Sequence, residues 1–182
     1  MAAWDEIAAS GGVGVPLAIA GTGPLEKRST AWAAGRDDVR CVGLLDPAEC
    51  RKAIARSVAV IAPSTWLEAF GLVVVEAMAA GVPTVAAGHG AFVELVEDGV
   101  TGLLHTPGDA ASLASGIRRI ADTNRTCNRE MGRAARHRYE QGFSPAVGLE
   151  RLLEGYRTAI AGRSALARGG DTHAGRGMGD ST

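Results

Sequence analysis

Short apolar runs that alternate with amphipathic segments predict that this 182-residue chain folds as an α/β domain with a Rossmann-like, doubly wound parallel sheet. The first run, residues 15–20, is continuously apolar, which is typical of a buried parallel strand. The segments between them carry helix start and stop signals. A chain of this length suffices for one domain with a substantial core.

The predicted strands are short apolar runs, each next to a turn or loop. The first run lies between two glycine-containing turns, and the third ends where Pro63 follows Ala62. In chain order, the predicted strands are residues 15–20, 39–42, 58–62, 82–86 and 101–105. Because helical segments separate them, the order predicts consecutive βαβ units.

The predicted helices have recognisable ends. Pro47 suits a first helical turn, and Gly81 supplies a helix stop. Asp109 can cap the helix that follows it, and Ser144-Pro145 is the start signal of the last one. In chain order, the predicted helices are residues 2–10, 25–34, 47–56, 72–80, 92–97, 109–120, 125–141 and 145–161. The last two are C-terminal helices that follow the final strand.

One domain is predicted over residues 1–162, followed by a disordered tail over residues 163–182. The tail is rich in glycine, arginine and serine and shows no periodicity. The sequence starts within an amphipathic helix and has no cap ahead of it. We therefore expect an N-terminally truncated domain that belongs to a larger architecture.

The composition argues against several classes of function. A formal net charge of -1 gives no strong attraction to nucleic acid or to an anionic membrane. No apolar run approaches the ~20 residues that a membrane-spanning helix requires. Cys41, Cys50 and Cys127 are widely spaced and odd in number, so they predict neither a disulfide framework nor a zinc site. Reduced thiols in the cytoplasm, and no bound metal, are the expectation.

Ligands of doubly wound sheets bind beyond the carboxyl ends of the strands. This rule places four loops on one rim, at residues 21–24, 43–47, 63–71 and 88–91. The third loop leads into a predicted helix, whose N-terminus carries free N–H groups and a partial positive charge. That helix end suits an anion such as a diphosphate, and Gly71 would let a ligand approach the backbone closely.

Two carboxylates flank this predicted anion site. Glu68 lies just before the helix, and Glu76 lies within it. Because carboxylates accept hydrogen bonds from sugar hydroxyls, the pair suits a ligand with hydroxyls at both ends and phosphates between them. A nucleotide sugar is such a ligand. On spacing alone, an equally weighted alternative is that Glu68 only stabilises the helix dipole and Glu76 is solvated.

The segment from Glu68 to Glu76 resembles the E-x7-E motif of GT-B retaining glycosyltransferases of the group 1, family 4 type. Ala62-Pro63-Ser64 before it and the segment up to Pro83 after it are also similar to the family's pattern. So are residues 20–24, 94–104 and 107–109. The resemblance runs in order over residues 2–161. It implies one half of a GT-B fold and transfer of a glycosyl group from a nucleotide-activated sugar, with retained configuration.

The resemblance implies a role for each matching residue. Glu68 would contact the hydroxyls of the donor sugar near the reacting carbon, as the catalytic residue, and Glu76 would bind the ribose hydroxyls. The loop around Gly43 would contact the base, and the amides around Gly71 would contact sugar and phosphate oxygens. The full donor-binding set implied, besides Glu76, is Gly21, Gly23, Val42, Gly43, Leu44, Ser64, Phe70, Gly71 and Leu72. The family implies no metal or other cofactor.

The sequence departs from the family pattern in two ways. The glycine pair that usually precedes the glutamate at position 94 is Gly90 and Ala91 here, and the neighbouring His89 is interpreted as incidental. The family's Arg and Lys pair for the diphosphate, and its amino-terminal acceptor domain, have no counterpart. We expect that domain in cis or in trans, with a cytoplasmic location or one peripheral to the membrane through that half. The chain alone should bind donor weakly and transfer poorly.

Several alternatives stay open at this point. One is another GT-B enzyme such as a nucleotide-sugar epimerase, which the block at residues 68–83 disfavours. Another is a non-catalytic or split nucleotide-sugar-binding module that needs a separate N-terminal partner. A dinucleotide fingerprint starts at Gly21, but Glu26 stands where its third glycine belongs, which disfavours NAD. The sugar, the base and the acceptor are left open by the sequence.

Overall fold

The structure, a computed structural model, describes residues 1–123 and 125–169. The chain divides into two compact units, of which the first runs from Met1 to Glu140 and the second begins at Gln141. Among the described residues, every strand lies in the first unit. The predicted site residues lie there too.

The described residues contain five strands, and each overlaps the apolar run that predicted it. They are β1 (Leu17–Ala20), β2 (Val39–Gly43), β3 (Val60–Ala62), β4 (Thr84–Ala87) and β5 (Gly102–His105). All the strand pairs are parallel. The predicted α/β class with parallel strands is therefore confirmed.

Helices separate the strands and follow the last one, as the sequence predicts. The first four are α1 (Ala2–Ala9), α2 (Glu26–Ala33), α3 (Pro47–Arg56) and α4 (Leu72–Ala80). The next four are α5 (Phe92–Leu95), α6 (Ala110–Asp122), α7 (Arg125–Gly142) and α8 (Pro145–Gly169). Most ends agree with the predicted ones to within two residues; the exception is the end of α8.

The strands pair as two sheets rather than as the single sheet predicted. β1 pairs with β2, and a separate sheet has the order β3-β4-β5. In register, Leu17 lies opposite Val39, and Thr84 lies between Val60 and Gly102. Each sheet is built in chain order, from β1 to β2 and from β3 to β5.

The position of the middle strand β4 explains why its sequence is largely apolar. It is paired on both sides, and all four of its residues are buried. The buried side chains of Val74 and Met78 in α4, and of Phe92 in α5, add to this core. At Gly102, a Cβ atom would lie 2.6 Å from the Thr84 carbonyl oxygen, so the β4–β5 contact requires glycine.

A polar network joins α1 to the turn before β2. Trp4 Nε1 donates to Asp38 Oδ2 at 2.8 Å. The Arg36 guanidinium pairs with Asp38 at 3.0 Å and with Asp5 at 2.7 Å, and it lies over the Trp32 ring at 4.6 Å. The hydrogen bond from Arg36, with a second from Trp4, lowers the pKa of the Asp38 carboxyl below its ordinary value. The turn is thereby tied to the helix.

Two helices begin with side-chain caps, of which the sequence analysis predicted only the one that starts α6. Asp46 Oδ1 accepts from the amides of Ala48 at 2.7 Å and Glu49 at 2.8 Å, and Glu49 Oε2 accepts from the Asp46 amide at 3.0 Å. This capping box starts α3, with proline in its first turn. Asp109 Oδ1 accepts from the Ser112 amide at 3.0 Å, which confirms the predicted cap of α6.

In the second unit, α8 extends to Gly169 and not to residue 161 as predicted. The helix takes in the first residues of the predicted disordered tail, because Ala165, Leu166, Ala167 and Arg168 are good helix formers. The rest of the predicted tail, residues 170–182, lies outside the described residues. Nearer its start, α8 exposes large apolar side chains, at Leu149, Leu152, Leu153 and Tyr156.

Candidate functional site

The loop between β3 and α4 holds Glu68 in a defined position. Ser64 is buried at the end of β3, and its Oγ donates to Glu68 Oε1 at 2.8 Å. Glu68 itself is half-buried. One carboxylate oxygen is thus oriented by the protein, and neither oxygen belongs to an ion pair within the described residues. A carboxylate held in this way keeps acceptor capacity for a ligand.

The loop after β4 contacts the backbone of Glu68. The Ala91 amide donates to the Glu68 carbonyl oxygen at 3.0 Å. Gly90 has φ +56, and a Cβ atom there would lie 3.0 Å from both the amide nitrogen and the carbonyl oxygen of Glu68. Gly90 is therefore needed for the close approach of the two loops. Ala91, which stands where the family usually has a second glycine, leaves this contact between the two loops intact.

His89 is not incidental, contrary to the interpretation from sequence. Its Nε2 lies 2.9 Å from the Ser64 carbonyl oxygen, so a ring N–H can donate to that oxygen. The side chain thereby links the loop after β4 to the loop that carries Glu68. Sequence reasoning missed this residue because its partner lies 25 positions away. The available sequence signal for such a contact was a histidine next to Gly90 in a rim loop.

Gly71 starts α4 in the left-handed region, with φ 76 and ψ 51. A Cβ atom there would lie 2.7 Å from Cε1 of the buried Phe92 ring. Glycine is thus required by packing against α5 as well as by backbone conformation. On either side of Gly71 the backbone is open to a ligand from outside, because Phe70 and Leu72 are exposed. The free amides of the first turn lie there.

Glu76 lies in the second turn of α4 and is exposed. Among the described residues, its carboxylate forms no ion pair. Val74, Val75, Ala77 and Met78 around it are buried, so α4 is a core helix with a carboxylate on its exposed side. Glu68 and Glu76 accordingly lie on either side of the N-terminal turn of α4, as the spacing predicts.

A cavity of about 320 Å³ lies between β1, β2 and α2. It brings Gly21, Val42 and Gly43 together with Glu26, Ser29 and Thr30. The Gly21 amide donates to the Gly43 carbonyl oxygen at 2.7 Å, and Gly21 and Gly23 have φ 110 and φ 154. No hydrogen bond among the described residues joins this group to the group around Glu68. The predicted site residues thus form two groups at the ends of different strands.

A second cavity, of about 300 Å³, lies at the other end of α4. It is lined by Gly81, Arg129, Gly132, Arg133 and Arg136, and is called the arginine cavity below. Helix α7 approaches closely there, because a Cβ atom at Gly132 would overlap the Gly81 carbonyl oxygen. The arginine cavity contains none of the residues predicted for the donor site.

The loops of the carboxyl rim expose several large apolar side chains. Leu44 is 77% exposed, Leu67 74% and Trp66 65%. Phe70 and Leu72, which flank Gly71, are also exposed. Isolated surface leucines are common, but large apolar side chains on neighbouring loops are typical of a surface that contacts a partner or a ligand.

Comparison with known proteins shows the family. The family model described as "Glycosyl transferases group 1" matches residues 2–138, which include every predicted site residue. The chain belongs to the glycosyl transferases group 1 family. The predicted GT-B fold agrees with membership of this family, because the structural neighbours of the chain are glycosyltransferases with that fold.

Individual relatives of this group 1 chain have different substrates. Glycogen synthase of Mycobacterium tuberculosis is 40% identical over 104 residues, which are 57% of this chain and 25% of that protein. D-inositol 3-phosphate glycosyltransferase of Kribbella flavida is 39% identical over 107 residues, 57% of this chain and 24% of that protein. The chain therefore spans about a quarter of the length of these relatives.

A solved structure supports the same assignment. Anabaena HepE, crystallised in complex with UDP-glucose, is 26% identical and superposes with a TM-score of 0.74 over 86% of this chain and 44% of that chain. In this group 1 chain, no helix among the described residues is long and apolar enough to cross a membrane. Within the same residues, no three histidine, cysteine, aspartate or glutamate side chains lie close enough to hold a metal ion.

Proposed function

We propose that this chain is the donor-binding half of a retaining glycosyltransferase that uses a nucleoside diphosphate sugar. The observation that carries the proposal is the Glu68 carboxylate, which Ser64 holds at 2.8 Å beside the N-terminus of α4. A fixed acceptor for sugar hydroxyls lies there next to free amides that suit phosphate oxygens. The bond broken is the one from the anomeric carbon to the diphosphate oxygen, and the bond formed is to the acceptor oxygen.

The other predicted residues are proposed to contact different parts of the donor. The amides of Phe70, Gly71 and Leu72 bind sugar and phosphate oxygens, and Glu76 accepts from the ribose hydroxyls. The cavity beside β1 and β2 takes the base, with Val42 and Leu44 exposed at its edge. Gly21 and Gly23 leave room for the nucleotide, because nothing lies within 4 Å of a Cβ atom built on either.

The acceptor is proposed to bind to another half of the enzyme, in cis or in trans. The exposed apolar side chains of the rim support a partner that covers them on closure, which excludes water from such sites. Alone, the chain should therefore bind donor weakly and transfer poorly. A cytoplasmic location is supported by the wide spacing and odd number of the cysteines, which predict no disulfide framework. By resemblance, transfer is proposed to need no metal, so activity should survive addition of EDTA.

Calorimetric titration with a panel of nucleoside diphosphates and nucleotide sugars tests the proposal. Glu76→Ala should weaken binding of every nucleotide by about 1.5–3 kcal/mol, which is roughly ten- to hundredfold, because a charge-assisted hydrogen bond is lost. Glu68→Gln should weaken binding of nucleotide sugars but leave nucleoside diphosphates almost unchanged. Glu130→Ala, an exposed glutamate of α7, is the matched control and should change neither. No nucleotide binding at millimolar concentration would contradict the donor role of the isolated chain.

A non-catalytic or split module is the second candidate. The matched segment covers about a quarter of the curated relatives, so donor binding by this chain is a separate question from transfer by a whole enzyme. Mixing the chain with the amino-terminal half of a group 1 relative and measuring sugar transfer separates the two proposals. Transfer that appears only in the mixture supports a split enzyme. Donor binding without transfer in any mixture supports a binding module.

A further inference from the structure

The arginine cavity gathers positive charge along one side of α7. Arg129, Arg133 and Arg136 follow one another at spacings of four and three residues, so they form a row on the helix surface. The sequence of α7 contains five arginines and two glutamates, a formal charge of +3, whereas the whole chain carries -1. Positive charge is thus concentrated at this helix in a chain that is nearly neutral overall.

Two of the three guanidinium groups in the row have no partner within the described residues. Neither Arg129 nor Arg133 forms an ion pair or a hydrogen bond with any residue in 1–123 or 125–169. Arg136 differs, because its Nε pairs with Glu140 Oε1 at 2.6 Å. Like charges at positions i and i+4 destabilise a helix. In the part of the chain that the structure describes, no carboxylate offsets the repulsion between Arg129 and Arg133.

Two glycines line the cavity where α7 meets the end of α4. Gly132 lies within the arginine row, and a Cβ atom there would overlap the Gly81 carbonyl oxygen. The helix therefore approaches α4 through its backbone alone, and the arginine side chains surround the space beside this contact. The volume of about 300 Å³ is at the lower limit of small-molecule sites. The cavity thus suits a compact ligand with one charged group.

The C-terminus of α4 does not cancel the positive charge of the cavity. A helix C-terminus carries about half a negative elementary charge, which resides on carbonyl groups that lack partners. The Met78 carbonyl oxygen accepts from the Gly81 amide at 3.0 Å. The Ala79 carbonyl oxygen accepts from Arg136 Nη1. Since these carbonyls are already satisfied, the two unpaired guanidinium charges dominate, and the cavity attracts anions.

We propose that the arginine cavity binds a phosphate monoester group, with Arg129 and Arg133 as its two main ligands. A planar guanidinium donates two parallel hydrogen bonds to phosphate oxygens, and a monoester carries close to two negative charges at neutral pH. Its charge therefore matches two unpaired arginines. The group belongs either to a soluble phosphorylated molecule or to a lipid headgroup. The cavity lies at the opposite end of α4 from the donor site, so this binding does not depend on the donor role.

An NMR titration of the full chain with glycerol 3-phosphate tests the proposal. Ionic strength is held constant, because added salt screens exposed charges. We expect saturable shifts of the Gly81 and Gly132 amides, which lie where the ligand would bind. Uncharged glycerol is the control and should shift neither amide. Shifts that fail to saturate, or that sodium chloride reproduces at the same ionic strength, would overturn the proposal.

Three double variants separate a built site from general attraction. Arg129→Gln with Arg133→Gln should weaken binding about tenfold or more, because charge-assisted hydrogen bonds are lost, and should not lower thermal stability. Arg129→Lys with Arg133→Lys keeps the charge but loses the planar forks, so it should also weaken binding. Lys27→Gln with Arg28→Gln removes the same charge from exposed positions of α2 and should leave binding unchanged. Equal affinity of the lysine variant and the unaltered chain would overturn the two-arginine site.

Vesicle sedimentation distinguishes the two sources of the phosphate group. Phosphatidylcholine vesicles contain either phosphatidic acid, a monoester, or phosphatidylglycerol, a diester. Sedimentation with phosphatidic acid alone, lost in the glutamine variant, assigns the group to a lipid. Binding of glycerol 3-phosphate without sedimentation on either vesicle assigns it to a soluble molecule. Equal sedimentation with both anionic lipids would overturn the proposal, because a monoester site distinguishes them.

Discussion

Gly90→Ala should both destabilise the chain and displace Glu68. The residue has φ +56, and a left-handed conformation costs an L-residue roughly 1–2 kcal/mol. The new Cβ atom would also lie 3.0 Å from the amide nitrogen and carbonyl oxygen of Glu68. If the loops separate, the hydrogen bond from the Ala91 amide is lost as well, at about 0.5–1.5 kcal/mol. The expected loss is therefore about 1.5–3.5 kcal/mol in total.

Gly108→Ala is the matched control for this prediction. It has φ +75, but nothing lies within 4 Å of its added Cβ atom, so only the conformational cost applies. Urea unfolding followed by circular dichroism gives the free energy of unfolding for both variants. Titration with UDP-glucose gives the effect on donor binding, which only Gly90→Ala should weaken. Equal stability and equal binding of the two variants would refute the role of Gly90 in positioning Glu68.

Three further predictions concern single side chains. Gly71→Ala should lower the free energy of unfolding by about 2–4 kcal/mol, measured in urea, because the residue has φ 76 and an aromatic ring lies 2.7 Å from the new Cβ atom. Ser64→Ala should weaken nucleotide-sugar binding about three- to tenfold in calorimetry, as Glu68 loses its hydrogen bond. Since Arg36 lowers the pKa of Asp38, that carboxylate stabilises the fold above its unfolded pKa and the effect fades as pH falls through its folded pKa. With Asp38→Asn, the free energy of unfolding should therefore fall less as the pH is lowered through the acidic range. An unchanged dependence on acidic pH would count against the Arg36–Asp38 pair.

Local patterns were sufficient to predict most of the fold. The buried strand β4 was evident from a short, largely apolar run, and the cap of α6 from Asp109 at a helix start. Both signals depend on residues close together in the sequence. The end of α8 was placed too early, because the helix-forming Ala165-Leu166-Ala167 was outweighed by the glycines that follow it.

Contacts between residues far apart in the sequence could not be predicted from local patterns. The division into two sheets depends on which strands pair with each other, and the residues in and around β1 and β3 do not predict that pairing. The same holds at the site, where His89 meets Ser64 and Gly90 meets Glu68 across two loops. Glu68 and Gly71 were predicted from the motif, but the buried ring that makes Gly71 obligatory comes from α5.

The central claim is that donor phosphates bind at the N-terminus of α4. An NMR titration of the chain with UDP, followed by backbone amide shifts, tests it most directly. The account predicts saturable shifts at Gly71 and Leu72, with smaller ones at Gly21 and Gly43 beside the cavity for the base. Shifts confined to Gly132 and its neighbours in the arginine cavity, with Gly71 unmoved, would contradict it.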